Sequence, residues 1–162
     1  MTLVTYSSVF DATVEELFDF HADVTNLARI SPPFPRFELL SNATESHEGD
    51  AQVFRLSVGV LGTTWHARLT RVRRPYLIED VQEAGPFRAW RHQHRISPEG
   101  DGRARLKDVV SFRLLPTPIG EFIEYFLVRP GILGMFALRH RRTAAMLREH
   151  HANHYPNSRA QS

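Results

Sequence analysis

The chain has 162 residues, 20 lysines and arginines against 18 aspartates and glutamates, and no cysteine. That length gives one domain with room for a sizeable core, and 42% hydrophobic with 23% charged residues is an ordinary globular composition. The lack of cysteine excludes a disulfide framework, a thiol nucleophile and cysteine-ligated zinc, and a net charge of +2 behind a pI of about 9.4 gives little ground for a nucleic-acid partner.

The opening Met1–Tyr6 has neither a charged n-region nor a long apolar run, so no signal peptide is expected and a cytoplasmic protein is the expectation. Leu3 to Phe10 reads as a strand. Thr13 then offers a helix cap, with Glu16 at the spacing of a capping box. Val14, Leu17, Phe18 and His21 give that helix one face. A second short helix is expected from Asp23 to Ile30, capped by Asp23 or Thr25 and stopped by Ser31-Pro32-Pro33-Phe34-Pro35.

From Arg36 the period changes to two. Phe37 and Leu39 mark a short strand, and Asn42 to Asp50 a polar turn. Phe54, Leu56, Val58 and Val60 alternate with Val53, Arg55, Ser57 and Gly59, and Leu61-Gly62 is the expected tight turn. Trp65, Ala67 and Leu69 alternate with His66, Arg68 and Thr70. Arg73-Arg74-Pro75 leads into a strand from Tyr76 to Glu83, which Gly85-Pro86 breaks. The last hairpin pairs Arg88–Ile96 with Arg103–Leu115 across Ser97 to Gly102.

Pro116 to His150 is the one stretch long and apolar enough for a major core helix. Ile119, Phe122, Ile123, Phe126 and Leu127 recur at helical spacing. The pattern resumes in Leu133, Phe136, Ala137, His140, Ala144 and Leu147. Pro130 predicts an end or a kink, giving helices near 119–128 and 131–150. Charges and Pro-Gly interrupt the run too often for a membrane span, which leaves at most a transient contact with a membrane surface. The domain is expected to cover residues 1–152, with a disordered tail over 153–162. Strands joined by short turns make an antiparallel sheet, and one face of it needs the last helix as cover. The expected fold is therefore α+β: a curved antiparallel sheet around a long C-terminal helix, with two short helices between the first and second strands.

The chemistry concentrates in the last hairpin. If Ser97 pairs with Arg103, then Trp90, His92, His94 and Ile96 share the apolar inner face with Leu106, Asp108, Val110 and Phe112, and His92 faces Asp108 directly. A buried imidazole and a buried carboxylate need partners. The pair reads as a structural hydrogen bond, as a polar anchor on the wall of an apolar cavity, or as an acid/base pair. Asp80 and Gln82 join it only if their strand turns that face inward. Trp65, Phe54, Tyr76, Trp90 and Phe112 are the aromatic candidates for the inner face, with Phe136 opposite on the helix. His92-x-His94 with Asp108 would suit a metal. However, His66 falls on the other face, and His140, His150, His151 and His154 are expected in solvent, so no metal and no cofactor is expected. The outer face carries Arg91, Arg95, Lys107 and Arg113, with Arg95 expected opposite Arg105. No exposed aromatics interleave with these cations, which argues against nucleic acid.

The runs Asn26-Leu27-Ala28-Arg29-Ile30-Ser31-Pro32-Pro33, Asp80-Val81-Gln82, Gly85-Pro86-Phe87-Arg88-Ala89-Trp90, Lys107-Asp108-Val109-Val110 and Phe136-Ala137-Leu138-Arg139 together resemble the START-like helix-grip (SRPBCC) superfamily. This superfamily includes polyketide cyclase/dehydratases, coenzyme Q-binding proteins and plant pathogenesis-related allergens. The resemblance spans nearly all of residues 3–150 and is greatest to a small bacterial branch. It implies a seven-stranded sheet gripping the helix around a ligand cavity, and it carries over no catalytic set. The leading expectation is binding or transport of a lipid, quinone or polyketide-like aromatic by Trp65, Trp90, His92, His94, Asp108, Phe112 and Phe136. The short helices over 14–30 and the segment before Pro130 would form the entrance. A cyclase, dehydratase or hydrolase using His92 and Asp108, and an interaction module with a filled core, are the alternatives.

Overall fold

The computed structural model describes residues 1–33, 35–41 and 44–154. Strand β1 (Thr2–Phe10) leads into helices α1 (Val14–Ala22) and α2 (Val24–Ile30). Strands β2 (Arg36–Leu39), β3 (Ala51–Val58), β4 (Leu61–Arg73), β5 (Leu77–Ala84), β6 (Ala89–Gly100) and β7 (Arg103–Arg113) follow. The chain closes with α3 (Pro118–Ile123), a π-helical turn (Glu124–Val128) and α4 (Arg129–His154). The seven strands form one sheet in the order β1-β7-β6-β5-β4-β3-β2, every neighbouring pair antiparallel. This is the expected helix-grip arrangement. Phe34 of the expected proline stop, Asn42 of the expected polar turn, the side chains of Val58 and His154, and residues 155–162 of the expected tail lie outside the described residues.

Local chemistry sets the helix starts. The Thr13 hydroxyl accepts from the Glu16 N–H at 3.2 Å, and the Glu16 carboxylate accepts from the Thr13 N–H at 2.7 Å, completing the capping box. Asp23 ends α1 and caps α2, accepting from the Thr25 N–H at 2.9 Å.

Two apolar clusters hold the sheet to the helices. Leu17 and Phe18 of α1 pack with Phe10, Leu69, Ile96, Leu106 and Leu147. Val4, Val110 and Phe112 pack with Ile132 and Phe136 of α4. Full burial of a side chain such as Leu17 or Phe136 contributes about 1.5–3 kcal/mol. On β7 the first cluster takes Leu106 and the second Val110, so Asp108 falls between them on the same face. On α4, His140 falls likewise between Phe136 and Leu147.

Four expectations are corrected. The β3–β4 turn is Gly59-Val60, not Leu61-Gly62: Gly59 takes a φ of 60°, which suits the first position of a two-residue hairpin turn, and Val60 is exposed there. The last hairpin is longer than expected. Asp101 and Gly102, with φ of 52° and 69°, form a tight turn, and a bulge follows Pro98. Ser97 therefore pairs with Arg105, and His94, not His92, stands opposite Asp108. The shift is even, so the inner face keeps its residues. Arg95 accordingly stands opposite Lys107 rather than Arg105.

The other two concern single elements. Tyr76 lies in the turn before β5 and is exposed, so it does not belong to the inner face. Pro130 neither ends the helix nor leaves a gap. The preceding turn widens to π geometry, in which the Arg129 N–H reaches the Glu124 carbonyl five residues back, and α4 continues to His154. Ile119, Phe122, Phe126 and Leu127 stand exposed instead of joining the core. Glu124 and Val128 tie this segment to the sheet: Glu124 accepts from the Thr2 hydroxyl and the Leu114 N–H, each at 2.6 Å, and Val128 packs on the second cluster.

Candidate functional site

Strand alternation turns Trp90, His92 and His94 of β6 and Asp108 of β7 toward α4, and Asp80 of β5 joins them. The face of Asp80, ambiguous from the pattern, is thus the inner one. Gln82 shares it and closes the β5–β6 connection, donating to the Phe87 carbonyl at 2.5 Å. α1 adds His21, and α4 adds Phe136, Arg139 and His140.

Asp108 is the centre of this group and is 1% exposed. Its Oδ1 lies 2.8 Å from His92 Nε2 and 2.6 Å from His94 Nδ1. Its Oδ2 lies 2.6 Å from His140 Nε2, and His140 Nδ1 lies 2.8 Å from the Ser8 hydroxyl. His92 Nδ1 is 3.4 Å from Asp80 Oδ2. The His94 contact is close but misaligned, so its Nδ1 makes no hydrogen bond despite the short distance. The His21 ring packs on the His94 ring at 5.2 Å, with His21 Nδ1 2.8 Å from the Leu17 carbonyl.

Burial opposes charge at every member, and the local partners decide which groups stay ionised. His92 is pushed up to about 9, because Asp108 and Asp80 together outweigh its desolvation. Asp108 is buried too, yet the surrounding imidazoles hold it well below the usual carboxylate range. Burial and then the neighbouring His94 push His21 down to about 3. Burial and the charge of His92 push His94 down. Arg139 falls to about 10 through burial, with Asp108 and Asp80 pulling the other way. The cluster therefore holds His92 protonated between two carboxylates.

A cavity of about 170 Å³ opens beside this cluster, between α2, the sheet and α4. Phe20, Leu27, Phe37, Phe54, Trp65 and Trp90 give it an apolar body. Phe54 stacks on Trp65 at 5.7 Å, and Trp65 meets Trp90 edge-on at 5.0 Å. The histidines, Asp80 and Arg139 form one polar end, and Asp23, Asn26, Ser46 and Gln52 add polar groups elsewhere on the lining. Among the described residues, the buried donors Trp65 Nε1 and Arg139 Nε have no hydrogen-bond partner.

Six of the seven expected ligand-binding residues, Trp65, Trp90, His92, His94, Asp108 and Phe136, line the cavity. Phe112 does not: it is packed in the core behind Trp90, their rings 6.1 Å apart. Residues of α1 and α2 line the cavity together with Pro35 and Phe37, and the lining includes none from the segment before Pro130. His140, expected in solvent, is 3% exposed and bonded to Asp108. His151 is half-buried against Glu16, and His150 is exposed. His140 and His21 each lay on an apolar helical face in the sequence pattern. That periodicity was the signal for burial; residue type alone suggested the surface. Arg139 and Ser8 gave no such signal.

The chain matches the family described as "Polyketide cyclase / dehydrase and lipid transport" over residues 10–130. No curated protein matches it in sequence. Among solved structures it is similar to protein Ms6760 from Mycobacterium smegmatis, with 17% identity, a TM-score of 0.68 and 92% of each chain covered. It is similar to a START superfamily protein from the same organism, with 13% identity, a TM-score of 0.59, and 90% of this chain and 93% of that one covered. It is also similar to the Zhui aromatase/cyclase from Streptomyces sp. R1128, with 22% identity, a TM-score of 0.60, and 88% and 93% covered. At these identities the likeness establishes the fold alone. Among the described residues no helix is long and apolar enough to cross a membrane.

Proposed function

We propose that this chain, which belongs to the polyketide cyclase / dehydrase and lipid transport family, binds a hydrophobic small molecule bearing an oxygen-containing polar end. One observation carries this reading: Phe37, Phe54, Trp65 and Trp90 give the cavity a mainly apolar wall, and His92, His94 and Arg139 present polar groups beside it, with Asp23, Asn26, Ser46 and Gln52 as further polar lining. The apolar body takes the hydrophobic part of the ligand. The unpartnered donors on Trp65 and Arg139 suit an oxygen acceptor. Lipids, quinones and polyketide-like aromatics share that form. A carrier role in the cell interior goes with it.

Native mass spectrometry of protein purified without detergent, followed by organic extraction, tests this reading. A discrete bound mass released on denaturation is the expected result. A clean ligand-free mass, together with no saturable quenching of tryptophan fluorescence by a graded series of fatty acids and polycyclic phenols, overturns it.

A second reading, a cyclase- or dehydratase-type reaction, is favoured by the buried His92–Asp108 contact at the cavity wall. With His92 held protonated, that pair would serve as an acid rather than a base. Turnover of an aromatic polyketide-like substrate that is lost in His92→Gln would support it. Docking of a nucleic acid or acidic protein on the outer face has less support, because acidic neighbours meet several of its cations. Arg105 pairs with Glu99 at 2.7 Å, and Arg71 and Arg91 lie 3.7 and 4.0 Å from Glu79.

A further inference from the structure

We infer that His92, His94 and Asp108 form a binding site for a divalent first-row transition metal ion at the polar end of the cavity. The inference goes beyond the proposed ligand binding and does not depend on it. His92 Nε2, His94 Nδ1 and Asp108 Oδ1 all lie within 4.8 Å of one another. Adjacent strands fix this convergence, since His94 and Asp108 are directly paired and His92 lies two residues along the same face. Strand alternation alone places no third histidine beside this pair. His140 supplies one, in a supporting position.

Three features distinguish the group from an ordinary buried hydrogen-bond network. First, His94 Nδ1 approaches Asp108 Oδ1 to 2.6 Å without hydrogen-bond alignment. At that separation one cation can take both atoms as ligands. Second, the outer partners are those a metal site needs. The remaining nitrogen of His92 faces Asp80 at 3.4 Å, and the remaining oxygen of Asp108 lies 2.6 Å from His140, itself 2.8 Å from Ser8. Such contacts fix ligand orientation and tautomer. Third, all three residues line the cavity, which leaves room beside the group for a further, non-protein ligand.

The donor set selects the ion. Two imidazoles and one carboxylate suit zinc, iron, cobalt or nickel, whereas calcium and magnesium prefer all-oxygen sites. Ligands about 2.1 Å from an ion sit about 3.0–3.4 Å apart in octahedral or tetrahedral geometry. The contacts of 2.6 and 2.8 Å would open by about 0.2–0.8 Å.

Untagged protein, purified in chelator and dialysed free of it, would be titrated with cobalt(II) and then zinc(II). One equivalent of cobalt with visible d–d absorption, displaced by zinc, is the expected result. X-ray absorption on the zinc form should show two imidazoles. His94→Gln should abolish the stoichiometric binding, and His140→Gln should weaken it about 10–100-fold without changing the number of sites. His150→Gln/His151→Gln should leave it unchanged. Absence of saturable binding to the wild-type protein at micromolar ion overturns the inference. So does binding that survives in a folded His94→Gln variant, or an absorption spectrum without imidazole scattering. None of these outcomes depends on whether an organic ligand is found.

Discussion

His140 on α4 and Asp108 on β7 meet at 2.6 Å, and they do so between the two apolar clusters that hold the helix to the sheet. One buried polar contact thus sets where the long helix lies along the strands. A carboxylate this deep requires donors, and a slide of the helix by one turn would remove one of them.

Removing that donor should be costly. In His140→Ala, Asp108 keeps His92 but loses the bond to Oδ2, and Ser8 loses its partner. A lost hydrogen bond to a buried charge costs about 1.5–3 kcal/mol, and the cavity left by the ring adds to that. Urea denaturation should show a loss of about 2–4 kcal/mol, with His140→Gln costing less. A loss within experimental error would mean that the contact does not hold the helix in place.

These two residues also show how far the sequence could be read. Alternation over residues 88–115 put Asp108 on the inner face, and an even register error did not disturb that. The histidine that stands directly opposite Asp108 depended on the Asp101-Gly102 turn and the bulge after Pro98, which set strand length two residues at a time. Helical spacing put His140 in line with Phe136 and Leu147, yet its polarity argued for the surface; only the carboxylate across the gap explains its burial. The exposed Phe122 and Phe126 fail in the opposite way. Their spacing was helical, but periodicity does not say whether anything packs against the face it creates. The cavity itself is a difference between filled and available volume, and it follows from side-chain directions that no pattern encodes.

Glu124 gives a pH prediction. Its side chain is fully buried in the π turn, where it accepts from Thr2 and Leu114, with the Arg113 Nε at 3.9 Å. Burial raises its tendency to stay protonated. The bonds from Thr2 and Leu114 and the charges of Arg113 and the N-terminus outweigh this and hold it below its ordinary value. With a depressed folded value, its contribution is full above the ordinary carboxylate range and is lost as pH falls through the folded value. Glu124→Gln should therefore lower stability by about 1–3 kcal/mol near neutral pH. That gap to the wild type should close as the solution is acidified. Thermal denaturation of both proteins across that range checks it, and a gap independent of pH would assign the cost to packing.

The cavity can be filled from α2. Leu27 is half-buried on its wall, across from the aromatic side formed by Phe54 and Trp65. Leu27→Trp adds volume into open space rather than into a packed core, so the usual 1–3 kcal/mol of overpacking should shrink to about 1 kcal/mol or less. Binding of a hydrophobic molecule should fall at least about tenfold, equivalent to about 1.4 kcal/mol. Native mass spectrometry and denaturation of the same variant separate the two effects. Undiminished binding would place the ligand elsewhere on the chain.

Arg139 tests the division between stability and binding. Its Nη2 donates to the Ser31 hydroxyl at 3.0 Å, its Nε has no hydrogen-bond partner among the described residues, and burial has lowered its affinity for the proton. A cation in that setting gives up hydration for incomplete compensation, so its net contribution to the fold is small. Arg139→Met keeps most of the aliphatic volume and removes the charge. It should leave the unfolding free energy unchanged or raise it by about 1 kcal/mol. Affinity for ligands with an acidic or carbonyl end should fall about 10–100-fold, since hydrogen bonds to a charged group are worth about 1.5–3 kcal/mol. Affinity for purely hydrocarbon probes should hardly change. The comparison is a pair of titrations, a long-chain acid against the matching alkane or aldehyde-free hydrocarbon, followed by tryptophan fluorescence in both proteins. Equal losses for acid and hydrocarbon would show that Arg139 shapes the cavity instead of reading the ligand. A marked loss of stability would show that the Ser31 contact, which joins α4 to the end of α2, is its main work.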